Sequence, residues 1–203
     1  MKLIIFTGPP ASGKSSLSSN IAKELKIDCI SKDLFKMHLF DKYGFKNHDE
    51  KKLLSIKGEA MMYRVIKFYI SRNQDLIIDN NFKEFDSLRL LLNAKNQVEL
   101  FCVVCMADYK ILATRYNKRI QEGERHLGLS TTNYFPYITG ISILHKPITE
   151  DDVSNIQKNV LENSIGDNVL HLNTNHIETD YINLYNQVKK YISKGEADLI
   201  ELR

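Results

Sequence analysis

The hydrophobic residues of the chain fall into short apolar runs separated by longer stretches with helical spacing. Five of these runs have the length and the β-branched content of buried strands. They cover Lys2 to Thr7, Ile27 to Ser31, Asp75 to Asp79, Val98 to Met106 and Asp167 to Thr174. The stretches between them place apolar residues three or four positions apart, as amphipathic helices do. This alternation predicts an α/β domain with a parallel sheet.

Two segments interrupt the regular alternation. Residues 51–72 predict one long amphipathic helix between the second and third strands. Residues 126–148 contain Gly128, Pro136 and Gly140 and predict an irregular loop. Interleaved aromatic residues make this loop a candidate for contact with a substrate, although they could equally pin it to the body of the domain.

The bulk properties are those of a single globular domain. The chain has 203 residues, of which 43% are hydrophobic and 26% are charged, so it can bury one full core. Its formal net charge of +3 is too small to indicate a nucleic-acid partner by itself. No run approaches the roughly 20 apolar residues of a membrane helix, and the apolar N-terminal run lacks the pattern of a cleaved signal. We therefore predict a cytoplasmic protein without a membrane partner.

The cysteines do not indicate a disulfide framework or a metal site. Cys102 and Cys105 form a C-x-x-C pattern inside the predicted fourth strand. Two strand residues three positions apart point to opposite faces, so they are not expected to share a metal ion. We predict that both are core residues with reduced thiols.

The first strand leads directly into the motif GPPASGKS and then into a helix. This is the phosphate-loop pattern G-x-x-x-x-G-K-[ST] in the strand-to-helix context that it requires. Backbone N–H groups of the loop and the helix N-terminus form an anion site, Lys14 can reach the β- and γ-phosphates, and the Ser15 hydroxyl can ligate Mg²⁺. The plainer interpretation is a Gly-Pro turn that caps a helix. We predict that a nucleotide triphosphate binds to Gly8, Pro9, Pro10, Ala11, Ser12, Gly13, Lys14, Ser15 and Ser16.

Two carboxylates follow the ends of predicted strands, where the ligands of a parallel sheet gather. Asp33, just after the second strand, could accept the proton of a hydroxyl that attacks the γ-phosphate. It could equally cap the helix that follows. Asp79 ends the third strand, which is typical of a carboxylate that positions Mg²⁺ directly or through water. Short apolar runs ending in Asp are common, so the phosphate loop is what favours this interpretation.

Three arginines follow the fourth strand. Arg115 and Arg119 are four positions apart and share one helical face, and Arg125 lies just beyond at a turn flanked by Gly123. Such a pair on a helix is ordinarily just solvated. In phosphoryl transfer, however, arginines on a closing segment stabilise the negative charge of the transferred group. Their position after the fourth strand of a nucleotide-binding sheet favours a lid.

Together these motifs resemble the predicted-kinase branch of P-loop phosphotransferases, which includes polynucleotide 5′-hydroxyl kinases, zeta-toxin kinases and chloramphenicol phosphotransferases. The resemblance lies in GPPASGKS, SKDLFK, IIDNNF and RYNKRIQEGERHLG. In that family the Asp of the second motif is the general base, which implies this role for Asp33. The chain departs from the family pattern at Asn81 and Phe82 in the third motif and at Leu127 in the lid motif.

The resemblance implies an adenylate-kinase-like fold: a three-layer α/β/α domain with a five-stranded parallel sheet in the order 2-3-1-4-5. One kinase domain would cover residues 1–203, with a helical acceptor-side segment at about 34–72 and a lid or substrate loop at about 115–148. The implied reaction moves the γ-phosphate of ATP, with Mg²⁺, to a hydroxyl of a small-molecule or nucleotide-like acceptor. The residues implied in catalysis are Asp33, Lys14, Arg115, Arg119 and Arg125, and those implied in metal binding are Ser15 and Asp79.

Three other functions stay open. A GTPase or ATPase switch would share the phosphate loop, but the guanine motif N/T-K-x-D is absent from the sequence. A nucleic-acid 5′-hydroxyl kinase would use the lysines near the acceptor segment, although acidic residues dilute their charge. A toxin-type kinase that acts on a nucleotide sugar is compatible with every motif.

Overall fold

A five-stranded, all-parallel sheet forms the centre of the domain. The computed structural model describes residues 1–81, 86–93, 98–163 and 169–200. The strands are β1 Lys2–Thr7, β2 Asp28–Ser31, β3 Leu76–Asp79, β4 Glu99–Met106 and β5 Val169–Asn173. Their order is β2-β3-β1-β4-β5, and every pairing is parallel. This confirms the predicted sheet, while the predicted start of the fifth strand at Asp167 lies outside the described residues.

Helices connect the strands and cover both faces of the sheet. They are α1 Lys14–Leu25, α2 Lys32–Tyr43, α3 His48–Arg72, α4 Asp86–Asn93, α5 Tyr109–Gln121, α6 Leu127–Ser130, α7 Glu150–Asn163 and α8 Ile177–Ile200. The long helix α3 begins three residues before the predicted position because its first turn is capped. The side chain of Asn47 accepts a hydrogen bond from the backbone of Glu50, whose carboxylate accepts one from the backbone of Lys46.

The alternation of side chains along β1 divides the core into two layers. Ile4 and Phe6 pack with residues of α1 and α8 on one face of the sheet. Leu3 and Ile5 pack with residues of α3 and α4 on the other face. The result is the predicted three-layer α/β/α arrangement.

Cys102 and Cys105 are both fully buried in β4 and belong to different hydrophobic clusters. Their separation across the sheet agrees with the prediction that they are core residues. Among the described residues, no three His, Cys, Asp or Glu side chains lie close enough to hold a metal ion together.

A smaller apolar cluster lies beside the carboxyl end of β2. It joins α2, α3 and α6 through Phe40, Leu54 and Leu129, together with Phe45 in the α2–α3 connection. Phe45 and Phe135 exchange two backbone hydrogen bonds of 2.8 and 2.9 Å, and their rings stack with centroids 5.9 Å apart. The segment predicted as an irregular loop over 126–148 begins with the short helix α6 and is held against the α2–α3 connection. Within the described part of the chain, no helix is long and apolar enough to span a bilayer.

Candidate active site

The phosphate loop has a backbone that requires glycine at two positions. Gly8 has a φ of 144°, and a Cβ there would lie 2.2 Å from the carbonyl oxygen of Cys105. Gly13 has a φ of 80° and precedes the first turn of α1, and a Cβ there would lie 2.1 Å from Cδ1 of Ile177. Ala11, between them, adopts a left-handed φ of 63°, which is uncommon for a residue with a side chain. The loop is thus tightly curled, as an anion-binding turn must be.

Lys14, Ser15 and Asp79 lie together at the base of this loop. The ammonium of Lys14 donates to the carbonyl of Pro9 at 3.2 Å. Burial raises the pKa of Asp79, against the opposing effects of the Lys14 charge and a hydrogen bond with Ser15. Oδ1 of Asp79 is buried and has no hydrogen-bond partner among the described residues. A hydroxyl beside a carboxylate oxygen that lacks a partner is a donor set that suits Mg²⁺, a hard cation that prefers oxygen.

Asp33 lies in the first turn of α2 but does not cap it. The cap is Ser31, whose hydroxyl accepts the backbone N–H of Leu34 at 3.2 Å. The two carboxylate oxygens of Asp33 instead accept one hydrogen bond each, from Nζ of Lys36 and from the guanidinium of Arg125, both at 3.1 Å. Burial works to raise the pKa of Asp33, but the charges and hydrogen bonds of these two cations outweigh it and hold the pKa below its usual value. Asp33 is therefore an ionised carboxylate at neutral pH.

The three predicted arginines do not converge on one point. Arg125 pairs with Asp33, and Arg119 lies on the cavity wall with no hydrogen-bond partner among the described residues. Arg115 points elsewhere: its guanidinium donates to the carbonyls of Thr174 and Asn175 at 3.0 and 2.9 Å and to the Glu178 carboxylate at 2.8 Å. These acceptors at the β5–α8 connection hold it away from the cavity.

One cavity of about 500 Å³ contains most of the predicted site. It is bounded by the phosphate loop, the ends of β2 and β3, α2, and the segment from α5 to α6. Its lining includes the predicted residues Pro10, Ala11, Lys14, Ser15, Asp33, Asp79, Arg119 and Arg125. The other predicted residues, Gly8, Pro9, Ser12, Gly13, Ser16 and Arg115, do not line it. Lys14 of the phosphate loop and the Asp33 carboxylate thus line one open cleft.

The family is decided by a match over the part of the chain that carries these motifs. The family model described as an AAA domain matches residues 3–132, more than half of the chain. The chain belongs to this AAA domain family. No curated protein matches it in sequence.

Two solved structures share the fold of this AAA-domain protein. One is a protein of Chloroflexus aurantiacus J-10-fl that is provisionally named a kinase. It has a TM-score of 0.74 at 23% sequence identity, and the alignment covers 94% of this chain and 97% of that protein. A sugar kinase from Janibacter sp. HTCC2649 has a TM-score of 0.55 at 12% identity and covers 95% of each chain. These likenesses confirm the adenylate-kinase-like P-loop fold.

Asn80, for which the sequence motifs predict no role, follows Asp79 at the end of β3. It is only 3% exposed, lines the cavity, and has neither its amide nitrogen nor its amide oxygen hydrogen-bonded to a described residue. A buried amide without partners is costly, so this side chain is suited to a ligand or a bound water. The sequence carries no signal for this, because Asn after a strand is an ordinary loop residue.

Lys51 on α3 is a second feature that the sequence did not indicate. Its ammonium contacts the carbonyls of Leu129 and Thr131 and lies 3.3 Å from Nε2 of His145. Burial, together with the positive charges nearby, lowers the pKa of Lys51 to about 8 and that of His145 to about 4. At neutral pH the imidazole is therefore neutral and can accept a hydrogen bond from the ammonium. Lys51 thus ties the predicted lid segment to α3.

Proposed function

We propose that this protein is a kinase that transfers the γ-phosphate of Mg·ATP to a hydroxyl of a small-molecule or nucleotide-like acceptor. The observation that carries the proposal is the position of Asp33. Its ionised carboxylate lines the same cavity as Lys14 of the phosphate loop and is fixed on both sides by cations. In a hydrolase the same carboxylate would activate water instead of an acceptor hydroxyl, so the identity of the acceptor distinguishes the two reactions.

The triphosphate would bind along Gly8 to Ser16, whose curled backbone and helix N-terminus favour an anion. Lys14 would contact the β- and γ-phosphates. Ser15 and Asp79 would hold Mg²⁺, Asp79 directly or through water, and the ion would supply charge stabilisation on the phosphate oxygens.

Asp33 would orient the acceptor hydroxyl and accept its proton as the oxygen attacks the γ-phosphorus. The new O–P bond forms as the bond to the β,γ-bridging oxygen breaks, and ADP leaves. Arg119 and Arg125 would stabilise the charge on the transferred group. Arg115 has a different place in the proposal, because its hydrogen bonds attach α5 to the β5–α8 connection.

The kinase names of the two structural relatives support this reaction class but say nothing of the acceptor of this chain. The fold alone also hosts other phosphate chemistry, so the site residues carry the functional argument. A nucleic-acid end or a nucleotide sugar as acceptor remains an outcome that experiment can return.

The deciding experiment incubates the protein with γ-labelled ATP, Mg²⁺ and a panel of sugars, hydroxy acids, nucleosides, antibiotics and 5′-hydroxyl oligonucleotides. A labelled organic product formed in proportion to ADP is expected. Label found only as free phosphate, at a rate that no acceptor changes, would replace the kinase with an ATPase.

A further inference from the structure

The acceptor half of the cavity has an unbalanced positive charge. Lys36 and Arg125 share the single carboxylate of Asp33. Their side chains are 21% and 24% exposed, whereas that of Asp33 is 43% exposed. Two half-buried cations therefore face one carboxylate, and water screens their charges only in part.

The two cations also keep unused hydrogen-bond donors. A lysine ammonium has three N–H donors and an arginine guanidinium has five. Within the described part of the chain, Lys36 and Arg125 each donate only to Asp33. Both line the cavity, so the remaining donors can be reached by a bound molecule.

Neighbouring acidic groups do not restore the balance. Glu59 is paired with Lys32 at 2.8 Å. Asp41 lies 2.9 Å from Nε2 of His126 and is 61% exposed, so water screens its charge. Glu124 lines the cavity but is solvent-exposed, so water screens its charge.

The basic groups around Asp33 reinforce the positive field. Lys51 lies close enough to Lys36 and Arg125 for their charges to lower its pKa. Asp79 belongs to the phosphate-loop end of the cavity, where the charges of the nucleotide and Mg²⁺ would dominate. An anion is the ligand that this half of the cavity favours.

We propose that Lys36 and Arg125 bind an anionic group of the acceptor, so that the substrate is a small hydroxyl compound bearing a carboxylate or a phosphate. This rests on the proposed function and names its substrate class. Because the Lys36 ammonium is one hydrogen bond from the carboxylate that would take the hydroxyl proton, an anion bound to Lys36 lies within roughly 6 Å of that carboxylate, two hydrogen bonds of about 3 Å in series. The reacting hydroxyl and the anionic group are thus only a few bonds apart.

The first test measures binding without phosphate transfer. Inorganic phosphate and acetate are titrated calorimetrically into protein saturated with Mg²⁺ and a non-hydrolysable ATP analogue, so that the phosphate loop is filled. Lys36→Met and Lys36→Gln are compared with Lys42→Met, because Lys42 is exposed and its ammonium lies over the ring of Tyr43. We expect the wild type and Lys42→Met to bind the anion with similar affinity. Both Lys36 variants should bind it about tenfold or more weakly, because they lose a charge-assisted hydrogen bond. No anion binding to the wild type, or equal binding to all four proteins, would overturn the proposal.

The second test asks which acceptor is phosphorylated. Glycerol, glycerol 3-phosphate and glycerate offer the same kind of hydroxyl with no anion, a phosphate or a carboxylate. The charged compounds are expected to have a kcat/KM at least about tenfold above that of glycerol, and Lys36→Met should reduce this ratio towards one. Equal use of glycerol, or a preference for a 5′-hydroxyl oligonucleotide that falls steeply with salt, would overturn the small-anion class. If no acceptor gave a product, the result would contradict the proposed kinase activity. The calorimetric titration would then decide separately whether Lys36 belongs to an anion site.

Discussion

The guanidinium of Arg125 donates to the carboxylate of Asp33 at 3.1 Å across 92 positions of the chain. This contact joins the first turn of α2 to the segment between α5 and α6. It places a cation of the proposed lid on the proposed general base.

Asp33→Asn should lower kcat by about 100-fold or more, the usual contribution of a positioned base, and leave the affinity for Mg·ATP nearly unchanged. The amide keeps the size of the carboxylate but cannot take the proton. Steady-state kinetics and nucleotide titration measure the two quantities. Asp49→Asn is the matched control because Asp49 is exposed in the first turn of α3. Full activity of Asp33→Asn would show that another group is the base.

Much of the fold could be predicted because its signals are local. The apolar runs of β1 and β4 and the loop from Gly8 to Ser15 each carry their pattern within a few residues. The role of Asp33 was less clear, since Asp is an acceptable N-cap residue and only the structure shows that Ser31 receives the Leu34 N–H instead.

The contacts that define the site were harder to predict because they join distant segments. Arg115 and Arg119 share a helical face in the sequence, yet the carbonyl of Thr174 and the carboxylate of Glu178 hold Arg115 elsewhere. The spacing of residues within a helix gives no information about hydrogen-bond partners in a distant segment. The contact of Lys51 with the 129–145 region depends in the same way on how two segments pack.

Gly13→Ala should destabilise the protein for two separable reasons. The φ of 80° strains any residue with a Cβ, at a cost of about 1–2 kcal/mol. The added methyl also overlaps Cδ1 of Ile177, which adds a smaller cost because Cδ1 is the end of a flexible side chain and can move aside. Gly140→Ala isolates the first effect, since Gly140 has a φ of 82° and open space around it. Chemical denaturation measures both.

A double variant separates the overlap from the strain at Gly13. Ile177→Val removes the Cδ1 methyl group that the new Cβ would meet. The double variant should therefore lose less free energy of unfolding than the sum of the losses in the two single variants. Simple additivity would mean that the loop moves aside and that the overlap costs nothing.

Asn80→Leu should separate stability from activity. The Asn80 amide is buried without partners among the described residues, so an apolar side chain of similar volume should raise the free energy of unfolding of the ligand-free protein by about 1 kcal/mol. Activity should fall, because the cavity loses both a donor and an acceptor. A destabilised variant with unchanged activity would indicate that Asn80 is purely structural. Leu88→Asn, a polar substitution at a fully buried core position, is the contrasting control and should destabilise.

Lys51 gives the protein a predictable dependence of stability on pH. Its pKa falls from 10.5 to about 8 in the folded state, chiefly through burial and then through the charges of Lys36 and Arg125. Between pH 8 and 10.5, Lys51 is therefore more protonated in the unfolded chain than in the folded protein. The free energy of unfolding that this group contributes thus rises with pH across that window. At about 1.4 kcal/mol per pKa unit the gain cannot exceed about 3.5 kcal/mol, and screening of the half-buried ammonium by water makes it smaller. The measurement is the free energy of unfolding as a function of pH, and the difference between wild type and Lys51→Met removes the contribution of the other titrating groups. Lys52→Met is the control and should leave the profile unchanged, because Lys52 is exposed. A wild-type profile parallel to that of Lys51→Met would mean that the Lys51 ammonium is as well solvated in the folded protein as in the unfolded chain.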